Sequence, residues 1–262
     1  MTLTLVQRSL LEKVAQDNGF DVPETAVDPW LSFASTQVPL RLWLGAMDDA
    51  WLVAFSQPAV AAELLPLTGE TSAALPSGAA AARRVADLMQ LHRVVRRAYQ
   101  LSGTLPDELF HLFERVTKEL PQTTEVERLT VQRVGQDLFR EGLLRYWEGR
   151  CAVTGLSEPE LLRASHIRPW AKCESDQERL NVFNGILLAV HLDAAFDRGF
   201  ITFEDGGRMV ISSALSPEDS QRLGLNPGLS LTRIDPLHRT ALAWHRANCF
   251  RGRVSKADDL RG

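Results

Sequence analysis

The sequence predicts an α+β protein: a mixed helix-and-hairpin domain over residues 1–120, followed by a second domain over residues 121–262 built on two strands and a short helix. Three observations point there. Several stretches carry apolar residues at helical spacing, such as Leu5, Leu10, Leu11 and Val14. Two apolar, aromatic arms, LRLWLGAM and AWLVAFS, flank a short acidic pair. Between Cys151 and Phe200 a histidine ends one apolar run and an Asn-Gly opens the next. A short helix-length segment with His191, Asp193 and Asp197 follows at once.

The first helix is expected over residues 2–17. Residues 39–55 read as a hairpin with Asp48-Asp49 as its turn. Gln57-Pro58 fits a helix start, because proline is tolerated in a first turn. Pro66 to Gly78 holds Gly, Pro, Ser and Thr and reads as a loop. Alanines and straight-chain residues favour helix from Gly78 to about Leu101, with Leu88, Leu91, Val94 and Val95 as its apolar stripe and Arg93, Arg96 and Arg97 on the other face. Thr104 opens a further helix to about Leu120, and Pro121 to Thr124 breaks it. Thr124 and Glu127 form a capping-box pair for a long helix over 125–149. The domain boundary is placed near Pro121, with Arg140 as the alternative, since the long helix suits either side.

In the second half, Leu161 to Ile167 is expected as a strand carrying His166, and Pro169-Trp170 as a turn. Lys172 to Arg179 reads as a polar loop, and Val182 to Val190 as a second strand broken at Asn184-Gly185. His191 to Arg198 makes a short helix stopped by Gly199, on which Asp193 and Asp197, four apart, share a face. Phe200 to Ile211 reads as a hairpin with a glycine turn, and Leu237 to Arg251 as a closing helix whose His238, Arg239, His245 and Arg246 pack across the core or meet a nucleic-acid backbone.

The bulk numbers set limits. Composition is 45% hydrophobic and 24% charged, ordinary for a globular protein. Apolar runs fall far short of a membrane span, and the N-terminal stretch lacks the features of a signal peptide, so a cytoplasmic protein without a membrane partner is expected. Three cysteines, Cys151, Cys173 and Cys249, are too few and scattered for a disulfide framework. The net charge of −4 does not announce a nucleic-acid partner, but residues 83–97 hold five arginines against one aspartate, so basic faces are compatible with an acidic total.

Cutting a phosphodiester requires a deprotonated water and stabilisation of charge on the phosphate and leaving oxygen. Histidine suits the first task because its ordinary pKa lies near neutrality. A divalent cation on oxygen or nitrogen ligands suits the second. The set His166, Asn184, His191, Asp193 and Asp197 contains the groups for both.

Five pieces of the chain, QRVGQDLFREGLL, GRCAVTG, ASHIRPW, FNGILL and HLDAAFDRGFI, together resemble the HNH endonuclease family with its ββα-metal core, over about residues 129–251. The resemblance implies a metal-dependent DNA endonuclease, a phosphodiesterase. It casts His166 as general base and Asn184 as the residue that orients it or helps hold the metal. A third residue on the helix, His191 or Asp193, binds metal or the scissile phosphate. Family members often carry Asp or His before the base; here Ser165 stands there, so the metal set implied is Ser165 with Asp193, Asp197 or His191. The usual last histidine comes about nine residues after the asparagine, which lands on Asp193, while His191 comes two earlier. Mg²⁺ is the expected ion, with Mn²⁺ or Ni²⁺ as alternatives. No structural zinc is expected, because paired CxxC motifs are missing.

Arg163 and Arg168 flank His166 and are candidates for phosphate contact. In the first half, His92, Arg93, Arg96 and Arg97 are candidates for DNA-backbone contact in a recognition domain. HNH cores fused to an N-terminal module resemble modification-dependent restriction enzymes, which implies a restriction or defence role. Double-strand cutting takes two active sites or two visits, so a homodimer is compatible. The alternative is a DNA-binding protein whose HNH core is inactive or weakened, motivated by Ser165 and by the displaced His191.

Overall fold

Thr4 starts the first helix by accepting a hydrogen bond from the Gln7 amide while the Gln7 side chain accepts from Thr4 N, a closed capping box. The structure, a computed structural model, describes residues 2–252 apart from 25–26, 48–49, 106 and 122–123. It divides into two compact units, Met1–Glu108 and Leu109–Gly262.

The first unit runs α1 (Leu5–Asp17), β1 (Val22–Pro23), β2 (Trp30–Ala34), β3 (Leu42–Met47), β4 (Ala50–Phe55), α2 (Pro58–Glu63), β5 (Ala81–Val85) and α3 (Leu88–Ser102). Its strands form one sheet in the order β1-β2-β3-β4-β5, each antiparallel to the next. The β3–β4 hairpin stands where the sequence places it; its expected turn pair, Asp48-Asp49, lies outside the described residues. Alternation gives the sheet two faces. Leu31, Phe33, Leu42, Leu44, Val53, Phe55 and Val85 share one face and are almost wholly buried, as the packing of α1, α2 and α3 on the sheet requires. Trp30, Ser32, Trp43, Gly45, Leu52, Ala54 and Ala82 share the other.

The helix expected from Gly78 to Leu101 is corrected. Ala81–Val85 pairs with β4 along its whole length, and the helix begins only at Leu88, capped by Asp87, whose side chain accepts from Gln90 N at 2.7 Å. The helical preference of alanine is worth under about 1 kcal/mol per residue. It yields to the backbone bonds that close the open edge of β4. The shared basic face on this helix is also corrected: Arg93 and Arg96 are exposed, but Arg97 is buried. Its position follows Val94 by three, which places it beside the apolar stripe.

The second unit runs α4 (Glu108–Thr117), α5 (Glu125–Tyr146), β6 (Leu162–His166), α6 (Asp176–Leu180), β7 (Gly185–Ala189), α7 (Val190–Asp197), β8 (Ile201–Phe203), β9 (Met209–Ile211), α8 (Pro217–Arg222) and α9 (Pro236–Asn248). Thr124 and Glu127 close the expected capping box on α5. The units divide N-terminal to Pro121 because α4 seats on α5. A Cβ at Gly142 would lie 2.3 Å from Leu109 Cδ1, and one at Gly135 would lie 3.3 Å from Phe113 Cε2. Within the expected polar loop 172–179, Ser175 caps a short helix by accepting from Glu178 N. Val182–Asn184 is a 3-10 turn, so the second strand starts at Gly185. The closing helix exists and packs across the core, one of the two readings considered, whereas three of its basic residues are committed within the unit and not to a nucleic-acid backbone. His238 and His245 are buried, and Arg246 binds Phe203 O at 2.8 Å and Asp205 at 2.6 Å. Among the described residues no helix is long and apolar enough to cross a membrane.

Candidate functional site

The β6–β7 hairpin pairs Leu162 with Ala189 through to His166 with Gly185, and α7 follows β7 without a linker. Gly185 has to be small, since a Cβ there would lie 2.5 Å from Phe139 Cζ and 2.8 Å from Leu143 Cδ1 of α5. The hairpin thus packs on α5 and on α7.

His166 and Ser165, adjacent on β6, reach different neighbours, as pleating demands. The His166 ring stacks on Phe139 of α5 at 3.8 Å between centroids and meets the edge of Trp170 at 5.4 Å. Its Nε2 lies 2.8 Å from the Arg179 carbonyl. A carbonyl only accepts, so Nε2 carries the proton and Nδ1 is left with its lone pair. Burial pulls His166 down to about 4, partly offset by that hydrogen bond, so the ring is neutral at neutral pH. Ser165 is buried and its hydroxyl donates a short hydrogen bond to Asp193 Oδ1 on α7.

Asp193 and Asp197 sit four apart on α7, as the spacing predicts. Burial of its carboxyl and the Asp193 charge push Asp197 up to about 6, opposed by Arg198. Asp197 as a residue is nevertheless exposed, and the mutual repulsion is the part of the shift that a cation would reverse. His191 is exposed near the start of the helix. Cys249 lies within electrostatic reach of Asp197 and of Lys172.

Asn184 is buried, and its amide is committed to backbone. Oδ1 accepts from Arg168 N at 2.8 Å, and Nδ2 faces Arg168 O, Glu178 O and Cys173 Sγ. It clamps the chain two residues beyond His166 and one residue before the Arg179 carbonyl that holds the ring. Arg168 pairs with Glu174 and Glu178 at 2.8 Å each and lies over Trp244. Arg163 is exposed and donates to Glu160 O and Leu162 O. In the other unit, His92 Nδ1 accepts from the Asn18 amide at 3.0 Å, tying α3 to the end of α1, while Arg93 reaches Met89 Sδ.

Sequence reasoning missed Phe139, Arg179 and Arg140. Arg140 donates to Leu162 O and Pro159 O at 2.8 Å and holds the start of β6. The helical spacing of Phe139 and Leu143 marked an apolar face. Nothing local marked the carbonyl of Arg179 as the partner of His166.

The end of α7 depends on Gly199, at φ 71°. A Cβ there would lie 2.0 Å from Cys249 O. Gly199→Ala is expected to cost about 2 kcal/mol or more through left-handed strain and this clash. That corresponds to roughly 5 °C or more in melting temperature by circular dichroism; an unchanged melt would contradict this role.

No curated protein matches the chain. Residues 151–204, which contain β6, β7, α7 and β8 in the C-terminal part of the chain, match the model of the HNH endonuclease family.

Proposed function

We propose that the second unit hydrolyses phosphodiester bonds in DNA with a divalent cation, His166 acting as general base. The observation that carries this reading is the locked, neutral imidazole, with Nε2 committed to the Arg179 carbonyl and Nδ1 able to take a proton from water. Asn184 serves as a positioning residue, since it clamps both segments that fix the ring.

The donors present fit a hard cation only in part. Among the described residues no group of three or more His, Cys, Asp or Glu is arranged to hold a metal. Asp193 and Asp197, however, are two carboxylates four apart on one helix, and Mg²⁺ is commonly held by one or two carboxylates together with waters and substrate phosphate. We assign it to Asp193 and Asp197, with the Ser165 hydroxyl orienting Asp193. Such an ion would stabilise charge on the phosphate and leaving oxygen. The chain itself contributes a fixed proton acceptor and the carboxylates. A restriction or defence role for the whole protein is our reading of the separate first unit.

Digestion of plasmid with Mg²⁺, Mn²⁺ or Ni²⁺ tests this. Wild type is expected to cut, and Asp193→Asn to lose about a hundredfold or more, with a raised metal requirement. Cutting by Asp193→Asn at the wild-type rate and metal concentration would refute the assignment.

A second reading, a DNA-binding protein with an inactive core, draws on two features. The His166 ring lies against α5 while Asp193 faces Ser165, and a three-ligand set is missing among the described residues. DNA binding without cutting under any of the three metals would favour it.

A further inference from the structure

The arginines that flank His166 in sequence are spent inside the second unit. Arg168 pairs with Glu174 and Glu178, and Arg163 donates to two backbone carbonyls. Arg179 is likewise held by Asp176 and by the carbonyls of Trp170 and Cys173. Lys172 and Arg198 differ. Both are exposed, and the side chain of neither makes an ion pair or a hydrogen bond among the described residues.

Three segments bring positive charge to the C-terminal end of α7. Arg198 caps that end directly after Asp197. Lys172 closes the turn Trp170–Lys172, whose Trp170 meets the His166 ring at 5.4 Å between centroids. Arg251 is exposed and is brought there by its backbone amide, which donates to Gly199 O at 2.9 Å. Its guanidinium lies over the Phe200 ring at 4.5 Å. Cys249, two residues earlier, feels the charges of both Lys172 and Asp197, so the turn and α7 approach each other around it. Asp193 and Asp197 by themselves would repel a phosphodiester. Lys172, Arg198 and Arg251 outnumber them, and such a patch attracts a polyanion before contact is made.

We propose that Lys172, Arg198 and Arg251 cradle backbone phosphates of the DNA strand that reaches Asp193 and Asp197. The choice of DNA rests on the DNA-cutting reading above. The arginines offer forked donors that match phosphate oxygens, and Lys172 offers a point charge. Contacts of this kind set the position of the strand and carry no sequence information. They also release counterions, so each one leaves a mark in the salt dependence of binding.

The test uses the full chain in EDTA with a fluorescently labelled DNA duplex, its affinity read by anisotropy from about 50 to 200 mM salt. Lys172→Ala, Arg198→Ala and Arg251→Ala are each expected to lower the slope of log affinity against log salt by about 0.9. That is a loss of affinity about 3.5-fold smaller across this range for each variant. All three side chains are exposed, so the variants should melt with wild type; Arg198→Lys keeps the charge and should restore the slope if Arg198→Ala melts early. Arg222→Ala, which removes an exposed cation of α8 paired with Asp219, should leave the slope as it is. Unchanged slopes in the three variants, no measurable binding by wild type, or an equal fall with Arg222→Ala overturns the proposal. A fall in slope with an RNA duplex and none with DNA overturns the choice of DNA. Plasmid digestion with Mg²⁺ separates the two readings: lowered slopes in a protein that does not cut reject only the nuclease assignment, and cutting with unchanged slopes rejects only the cradle.

Discussion

His166→Ala is expected to lower DNA cleavage by about 10²–10⁴-fold, the usual contribution of a positioned general base. At about 1.4 kcal/mol per factor of ten, this is roughly 3–5 kcal/mol of transition-state stabilisation. The same substitution also empties the space against Phe139 and leaves the Arg179 carbonyl without its donor, a loss of about 1–3 kcal/mol in stability if that carbonyl stays dry. Activity and stability therefore have to be separated. His166→Gln keeps a side-chain amide that can donate to Arg179 O, but it has no basic nitrogen. It should melt closer to wild type and still fail to cut. Single-turnover cleavage with saturating metal, alongside thermal melts, reads both quantities. Cleavage by His166→Gln at the wild-type rate would remove His166 from the chemistry. A loss of cutting matched by a loss of folded protein in both variants would reduce it to a structural residue.

Acid should weaken the second unit well above the pH at which its carboxylates ordinarily titrate. His238 is held down to about 4 by burial, against the opposing pull of Asp235; His245 is held down to about 4 by burial, against its hydrogen bond to Phe196 O. Both are almost fully enclosed, His238 beside Tyr146, Trp147 and Phe183, and His245 stacked on Phe196 at 3.9 Å. The folded values lie below the ordinary 6.5. As pH falls through 6.5 the unfolded chain takes up protons that the folded chain refuses until about 4. Each histidine then removes up to about 1.4 kcal/mol per pH unit, at most about 3 kcal/mol over the window. The half-buried His166 acts in the same sense, while Asp197, raised to about 6, acts in the opposite one because its folded form binds a proton more readily. Against a typical domain stability of about 5–15 kcal/mol, the two buried histidines together remove a substantial share by about pH 4. Denaturant unfolding across that range checks this, with His245→Gln expected to flatten the slope by about one histidine's share. Equal slopes would show that the buried ring is not what acid attacks.

Each of the two effects traces to features of different range. The chemistry-bearing residues, their order, the Thr124–Glu127 box, the β3–β4 hairpin and the Gly199 stop are all legible in sequence, because caps, turns and periodicities are set within a few residues. The Ala81–Val85 strand was hidden, because its identity depends on a β4 edge that needed closing, and local alanine preference points the other way. Asn184 read as a turn residue, as the residue that orients the base or as a metal ligand; only the folded chain shows its amide spent on Arg168 and Glu178. The buried state of His238, His245 and Arg97 was likewise invisible, since a charged or polar residue at helical spacing reads the same whether water or another helix covers it.

By itself, then, the sequence determined the class of domain and the cast of side chains that a hydrolytic site would use. The tertiary structure alone decided that His166 and Ser165, neighbours on one strand, answer to different helices, and that the sheet face carrying Trp30 and Trp43 is covered as a second core cluster. The physical reason is the same in both cases. Alternation along a strand tells which residues share a side, but what stands on that side, and whether it fills the space, is settled only by segments distant in the chain.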